Sequence, residues 1–352
     1  MRELTKRELE AYCGRVEQQF GIRESILMEG KSKGTRAFHI WNGYGLQMMV
    51  LPDKCFSIPV LRYNGVNVGF MSKAGIFAPE FYQEEGTRGF LRNFEAGFLT
   101  TCGLTYMGTP GVEGGQANGL HGIISNTPAE HVYGETKWEN GTPWIEFGGS
   151  AREGHLFGPN MEIHRKFRIS TREDRIWIHD TVENHAFEAA PIMLLYHFNL
   201  GYPMQDESCV IYSNMNEVAY RDKAAESGRN KMNEFQKPTV GYEEEVFFRT
   251  IKNKQETQSF VFVHNKNLQK GVAIKFNPQQ LPILNQWKSP RSGDYALGLE
   301  PGTAHVGGRI RAQEEHILQY LEPGEKRGFD VEVEFVDCSS NETLDAFINK
   351  SI

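Results

Sequence analysis

Three short stretches of the 352-residue sequence carry side chains able to move protons. Asn118-Gly119-Leu120-His121-Gly122 closes a glycine-rich run that begins at Gly108. Glycine on both sides of Leu-His lets the backbone approach a ligand closely and leaves the imidazole uncovered. Taken alone, the plainer reading is a turn histidine bonded to a nearby carbonyl. In the run Leu194 to Pro203, strand alternation puts Leu195, His197 and Asn199 on one face and Tyr196, Phe198 and Leu200 on the other. A polar pair projecting from an apolar strand must find partners, and a ligand is one of them. A satisfied core histidine fits equally well. The third stretch, Leu297 to Thr303, places Glu300 at the end of an apolar strand, directly before a Pro-Gly turn. Partial burial there raises a carboxyl pKa toward the range useful to a general base. A turn-capping carboxylate is the common alternative. Two histidines and a glutamate in such settings, taken together, form an acid/base constellation in a β cleft. His121, His197 and Glu300 could in principle ligate a divalent ion, as a metal-dependent isomerase would need, but they include no closely spaced ligand pair, and no metal or cofactor is expected.

The elements that must position these residues are mostly strands. Thr5 and Glu8 form a capping box, with Leu4 and Leu9 where a hydrophobic staple would lie. Val16 and Phe20 continue an apolar stripe, so this helix is expected to end near Gly21-Ile22. Beyond it the apolar period becomes two. Met161, Ile163, Arg165, Phe167 and Ile169 share one face, and Phe329, Val331, Val333 and Phe335 alternate with Asp330, Glu332 and Glu334. Many short strands joined by Gly-rich turns predict an all-β sandwich with one N-terminal helix. The polar stretch 214–245 reads as a long insertion or loop region, with room for a helical turn.

Composition narrows the class further. Hydrophobic residues at 39% and charged residues at 24% suit a globular core. Aromatic residues at 12% suit strands and surfaces that stack on sugar rings. The net charge of -7 and the lack of a basic patch argue against a nucleic-acid partner. The densest basic stretch, Arg165 to Arg175, reads as the exposed side of a strand pair. The five cysteines are scattered and odd in number, with no CxxC pair. The N-terminal segment lacks the apolar core of a secretory signal, and no apolar run approaches the roughly 18 residues of a membrane span. A cytoplasmic location without membrane partners is expected. An exposed sheet edge would allow a homodimer.

The motifs resemble those of the aldose 1-epimerase, or galactose mutarotase, superfamily. Asn118-Gly119-Leu120-His121-Gly122 is similar to its N-x-[LI]-H-G segment, His197-Phe198-Asn199-Leu200 to its H-x-x-F-N-L strand, and Leu299-Glu300 to its late L-E segment. Phe98 to Leu104, Gly122 to Asn126 and Leu297 to Thr303 look more specifically like a branch of the superfamily carrying a domain-of-unknown-function label. The likeness runs from about Gly34 to Phe335. It implies a galactose-mutarotase-like β-supersandwich, with a helical segment over 1–25 and a single sandwich domain over 26–352. It also implies isomerisation of a sugar at C1 without a cofactor. Glu300 would take the proton of the O1 hydroxyl, His197 would protonate the ring oxygen, and His121 would hydrogen-bond the sugar. Arg92 would match the family's early arginine, and Asn118 and Asn199 would face the substrate. Trp287 could stack on a sugar face, and Arg92 or Lys288 could meet an anionic substituent, although Lys288 reads more simply as a solvated surface residue. Two features depart from the pattern. His197 stands directly before Phe198, rather than three residues before it, which moves the side chain roughly 6.6 Å along a strand. Asp206 and Asp294 are the candidates for the family's sugar-binding aspartate, and neither has the expected context. A non-catalytic sugar-binding sandwich, or another sugar isomerisation or an elimination in the same cleft, are the competing readings.

Overall fold

The computed structural model describes residues 4–351, and in it the alternating runs become antiparallel strands of two large sheets. The eight-stranded sheet runs, in spatial order, Glu130–Glu139, Thr142–Gly154, Asn160–Ser170, Arg175–Asn184, Lys326–Asp337, Lys270–Phe276, Ser259–Asn265 and Cys209–Ser213. The eleven-stranded sheet has at its centre Ser57–Tyr63, Leu99–Cys102, Leu195–Leu200, Asp294–Gly302, Ile283–Arg291 and Glu245–Thr250. Between the two lies the main apolar core. Phe147 and Phe167 stack there with ring centroids 4.6 Å apart, and Phe98 meets Phe198 at 5.4 Å.

Alternation decides what each strand offers. Tyr196, Phe198 and Leu200 point into the core between the sheets. Leu195, His197 and Asn199 therefore point to the opposite face of the eleven-stranded sheet, where the candidate site is built. The predicted face of Asn160–Ser170 is likewise buried, Arg165 included. That corrects the reading of Arg165 as part of an exposed basic stretch. Its guanidinium binds Asp180, whose carboxylate also accepts the Tyr196 hydroxyl at 2.6 Å. A buried charge needs such a partner.

The N-terminal helix is shorter than its apolar stripe suggests. Thr5 caps it in the expected capping box, but it spans only Lys6–Tyr12. Val16 belongs to a separate 3₁₀ turn, and Phe20 is buried against Trp138. Gly21 opens a strand because its Cα passes under Trp41, where a Cβ would stand 3.1 Å from the indole. The indole N–H donates to the Glu17 carbonyl at 2.8 Å and fixes the chain there. An eleven-residue helix, Asn341–Ser351, lays Phe347 on Phe262 at 4.3 Å. The 214–245 stretch is more ordered than a loop: Glu217–Tyr220 extends the larger sheet and Lys223–Gly228 is helical. No helix among the described residues is long and apolar enough to cross a membrane.

Candidate active site

His197 and Glu300 come from neighbouring strands, Leu195–Leu200 and Asp294–Gly302, paired so that Phe198 lies opposite Leu299. The register puts the two side chains on the same face. His197 Nε2 stands 3.2 Å from Glu300 Oε1. Both residues are buried, yet Glu300 Oε1 and His197 Nδ1 each lack a hydrogen-bond partner. The carboxyl and the imidazole are adjacent without being aligned on one another.

His121 reaches the same place from a loop. Its backbone is left-handed, at φ 62°, and Gly122 follows at φ 71°. A Cβ at Gly122 would stand 2.4 Å from the Tyr106 carbonyl oxygen, so only glycine fits. The Gly108 amide donates to His121 Nδ1 at 3.4 Å. The two imidazoles meet edge to face at 5.6 Å. The short helix Thr87–Asn93 closes one side, with Phe90 5.0 Å from His121 and Phe94 5.1 Å from His197. Trp287 stands edge-on to His197 at 5.9 Å on the other side.

Burial sets the electrostatics. It pushes the Glu300 carboxyl well above the ordinary carboxylate range, and Glu244 adds to the shift while Arg221 opposes it. It pulls His197 well below the usual imidazole value, with His121 nearby adding to the effect, and it lowers His121 to about 4. Desolvation disfavours every charged form, so the buried site favours a protonated carboxyl beside two neutral imidazoles.

Among the other predicted residues, Trp287 joins this group and Asn199 shares its face. The Asn199 amide donates to the Ala96 and His197 carbonyls, and its buried Oδ1 is unpaired. Asn118 lies at the end of Gln116–Asn118 and borders a different space, a cavity of about 650 Å³ shared with Tyr106, Glu153 and Arg309. Arg92 is turned away and binds Gln83 and Glu85. Lys288 is buried rather than solvated: its ammonium donates to the Lys231 carbonyl and pairs with Glu245 at 3.5 Å. Asp206 binds Ser208 and Asn267, and Asp294 pairs with Lys73. Neither aspartate has a partner in the histidine cleft.

Sequence reasoning missed Arg221 and Glu244. Glu244 accepts the Trp287 indole N–H at 2.8 Å and Arg221 Nη1 at 2.7 Å. Both lie in the polar stretch dismissed as a loop, and no spacing marks them. Phe90 and Phe94 were missed as well: they sit on and just after a seven-residue helix, Thr87–Asn93, that the strand-dominated reading did not foresee.

The model of the family described as a domain of unknown function, DUF4432, matches residues 32–335. No curated protein matches the chain. Among solved structures, a proposed aldose 1-epimerase of Klebsiella pneumoniae is similar over 94% of this chain and 86% of its own, at 25% identity and TM-score 0.86. A galactose mutarotase-like protein of Clostridium acetobutylicum covers 91% of this chain and 99% of its own, at 14% identity and TM-score 0.63. Galactose 1-epimerase of Lactobacillus acidophilus covers 90% and 99%, at 13% identity and TM-score 0.57. The last two likenesses establish a shared galactose-mutarotase-like sandwich fold.

Proposed function

The chain belongs to the DUF4432 family, within the aldose 1-epimerase-like superfamily, and from that premise we propose that it interconverts the α and β anomers of an aldose by acid/base ring opening. The observation that carries this reading is the 3.2 Å approach of His197 to Glu300 in a buried site. Ring opening needs one group to take the O1 proton and another to protonate the ring oxygen. Glu300 is the base and His197 the acid; His121 hydrogen-bonds the sugar. The C1–C2 bond then rotates, and closure on the other face of C1 returns the proton along the same path. No net proton enters or leaves.

The pair's proton inventory suits this cycle. A charged pair, carboxylate and imidazolium, accompanies the closed ring before reaction. A neutral pair accompanies the open-chain aldehyde, because opening has carried one proton from His197 to Glu300 through the sugar. Burial favours the neutral pair, so the charged pair that starts ring opening is the costlier form, reached when Glu300 passes its proton to His197 across their 3.2 Å approach. Positioning of the two groups at the reacting atoms then supplies the catalysis.

The test is anomer interconversion followed by NMR exchange across neutral, acidic and phosphorylated aldoses. We expect the native protein to accelerate exchange for at least one sugar and Glu300→Gln to abolish the acceleration. Binding without acceleration by the native protein would reduce the site to a sugar-binding module.

A further inference from the structure

A second constellation lies on the solvent side of the eight-stranded sheet. Glu162 and His164 point outward from Asn160–Ser170, on the face opposite Ile163 and Arg165. Glu183 stands directly across from Glu162 on Arg175–Asn184, and His185 follows two residues later. Like charges directly opposed on one sheet face repel. Here they enclose two imidazole nitrogens. His185 Nε2 is 3.0 Å from Glu162 Oε2 and 3.6 Å from Glu183 Oε2, and His164 Nε2 is 3.8 Å from each. One ligand atom each from Glu162, His164 and His185 lies within 4.8 Å of the other two.

Those separations match a metal shell. Zinc bonds of about 2.1 Å to nitrogen and oxygen place tetrahedral ligand atoms about 3.4 Å apart. The four N···O separations bracket that value. His185 Nε2 is also buried without a hydrogen-bond partner, although a carboxylate oxygen is 3.0 Å away. The nitrogen and the oxygen are therefore not aimed at each other, as expected of two atoms facing a common third point. Glu162 is itself buried and is hydrogen-bonded by Ser150 and by Arg152 Nη2 at 2.5 Å. Lys326 holds Glu183 at 2.9 Å. Outer partners of this kind orient ligating carboxylates. The same two cations already offset the carboxylate charge, which moderates the affinity a divalent ion can reach.

We propose that Glu162, His164 and His185, with Glu183 completing the set, bind a divalent transition-metal ion of the zinc class. Imidazole and carboxylate together suit such an ion better than calcium or magnesium. The ion would pin the root of the 186–191 segment, which walls the 650 Å³ cavity beside Asn118.

The experiment is calorimetric titration of chelator-stripped full-length protein with Zn²⁺ alone. A Co²⁺ titration beside it reads four-coordinate geometry from the visible spectrum. We expect one ion per chain, at least roughly ten-fold weaker in His164→Ala and in His185→Ala, with the Co²⁺ band lost in both. Lys326→Ala should bind as tightly as the native chain or more so. His164 is half exposed, so its removal leaves the fold intact even if His185→Ala does not fold. Absence of zinc binding, or binding that both histidine variants leave unchanged, overturns the proposal.

Discussion

The Glu300 carboxyl is buried, unpaired at Oε1, and 3.2 Å from a histidine that burial holds neutral. Its pKa is raised in the folded chain, so the stability linked to it is fully present below its unfolded value near 4.5 and is lost as pH rises toward the folded value. Glu300→Gln keeps the shape and removes the titration. We expect it to raise stability at pH 7.5 by about 1–3 kcal/mol, with the gain shrinking as pH falls toward 4.5. Thermal melts of both proteins at the two pH values check this; a pH-independent difference would contradict it. His121 works in the other direction. Its pKa falls to about 4, so the stability it contributes is present above about 6.5 and is lost as pH falls between the two values. That window corresponds to about 3 kcal/mol, and His121→Asn should flatten the acid side of the stability profile in the same melts. Gly298 keeps the carboxyl in place. A Cβ there would stand 2.4 Å from Glu300 Oε1 and 3.0 Å from the Trp287 Cβ. Gly298→Ala should leave the melt within a few degrees of native and slow anomer exchange roughly 100-fold, because a displacement near 1 Å is that costly to a reacting geometry.

At the scale of elements, the site depends on how segments with little pattern of their own are fastened to strands with a strong one. Arg221 follows the edge strand Glu217–Tyr220, and Glu244 immediately precedes Glu245–Thr250. Together they hold the Trp287 indole. The Arg221 guanidinium also binds Asp222 and Arg92 is engaged elsewhere, so neither is free to receive an anion. With Glu244 near Glu300, the cleft should favour neutral aldoses over phosphorylated or acidic ones. Competition between glucose-type sugars and their phosphates in the exchange assay would show it, and a preference for the phosphates would refute it. The same contrast explains what the sequence revealed. Period-two strands expose both their identity and their inward face, so His197 and Asn199 could be placed on one face beforehand, while Glu300 could be placed only at a strand end. The capping box fixed where the first helix begins. Its end was hidden, because Val16 and Phe20 continue a helical spacing while Trp41 and Trp138, distant in sequence, claim that segment for the sandwich. Glu244 and Lys288 were opaque for a related reason. A charged residue in a polar run reads as solvated until tertiary structure brings it a partner.

At the scale of the whole molecule, a buried polar link that joins the two sheets ends beside the site. Arg165 and Asp180 face each other on the eight-stranded sheet, and Arg165 also reaches the Cys55 carbonyl at 3.1 Å and the Thr101 hydroxyl. Tyr196, adjacent to His197 on the eleven-stranded sheet, donates to Asp180. An apolar core alone resists separation of two sheets but constrains sliding weakly, since dispersion and burial are not directional. The directional bonds from Tyr196 and Arg165 add a fixed offset between the sheets, and with it the position of the strand that carries His197. Removing one charge should be severe, because the other is left buried and unpaired. Arg165→Met is expected to cost about 3–5 kcal/mol. The double variant Arg165→Met/Asp180→Leu removes both charges and should recover most of that loss, since an apolar replacement of a buried pair is often close to neutral. If the link only stabilises, anomer exchange in the double variant should recover along with the denaturation midpoint. If it also sets the His197 strand, the midpoint should recover while exchange remains at least roughly ten-fold slow. Urea unfolding and NMR exchange on the same two variants separate these outcomes, and we expect the second.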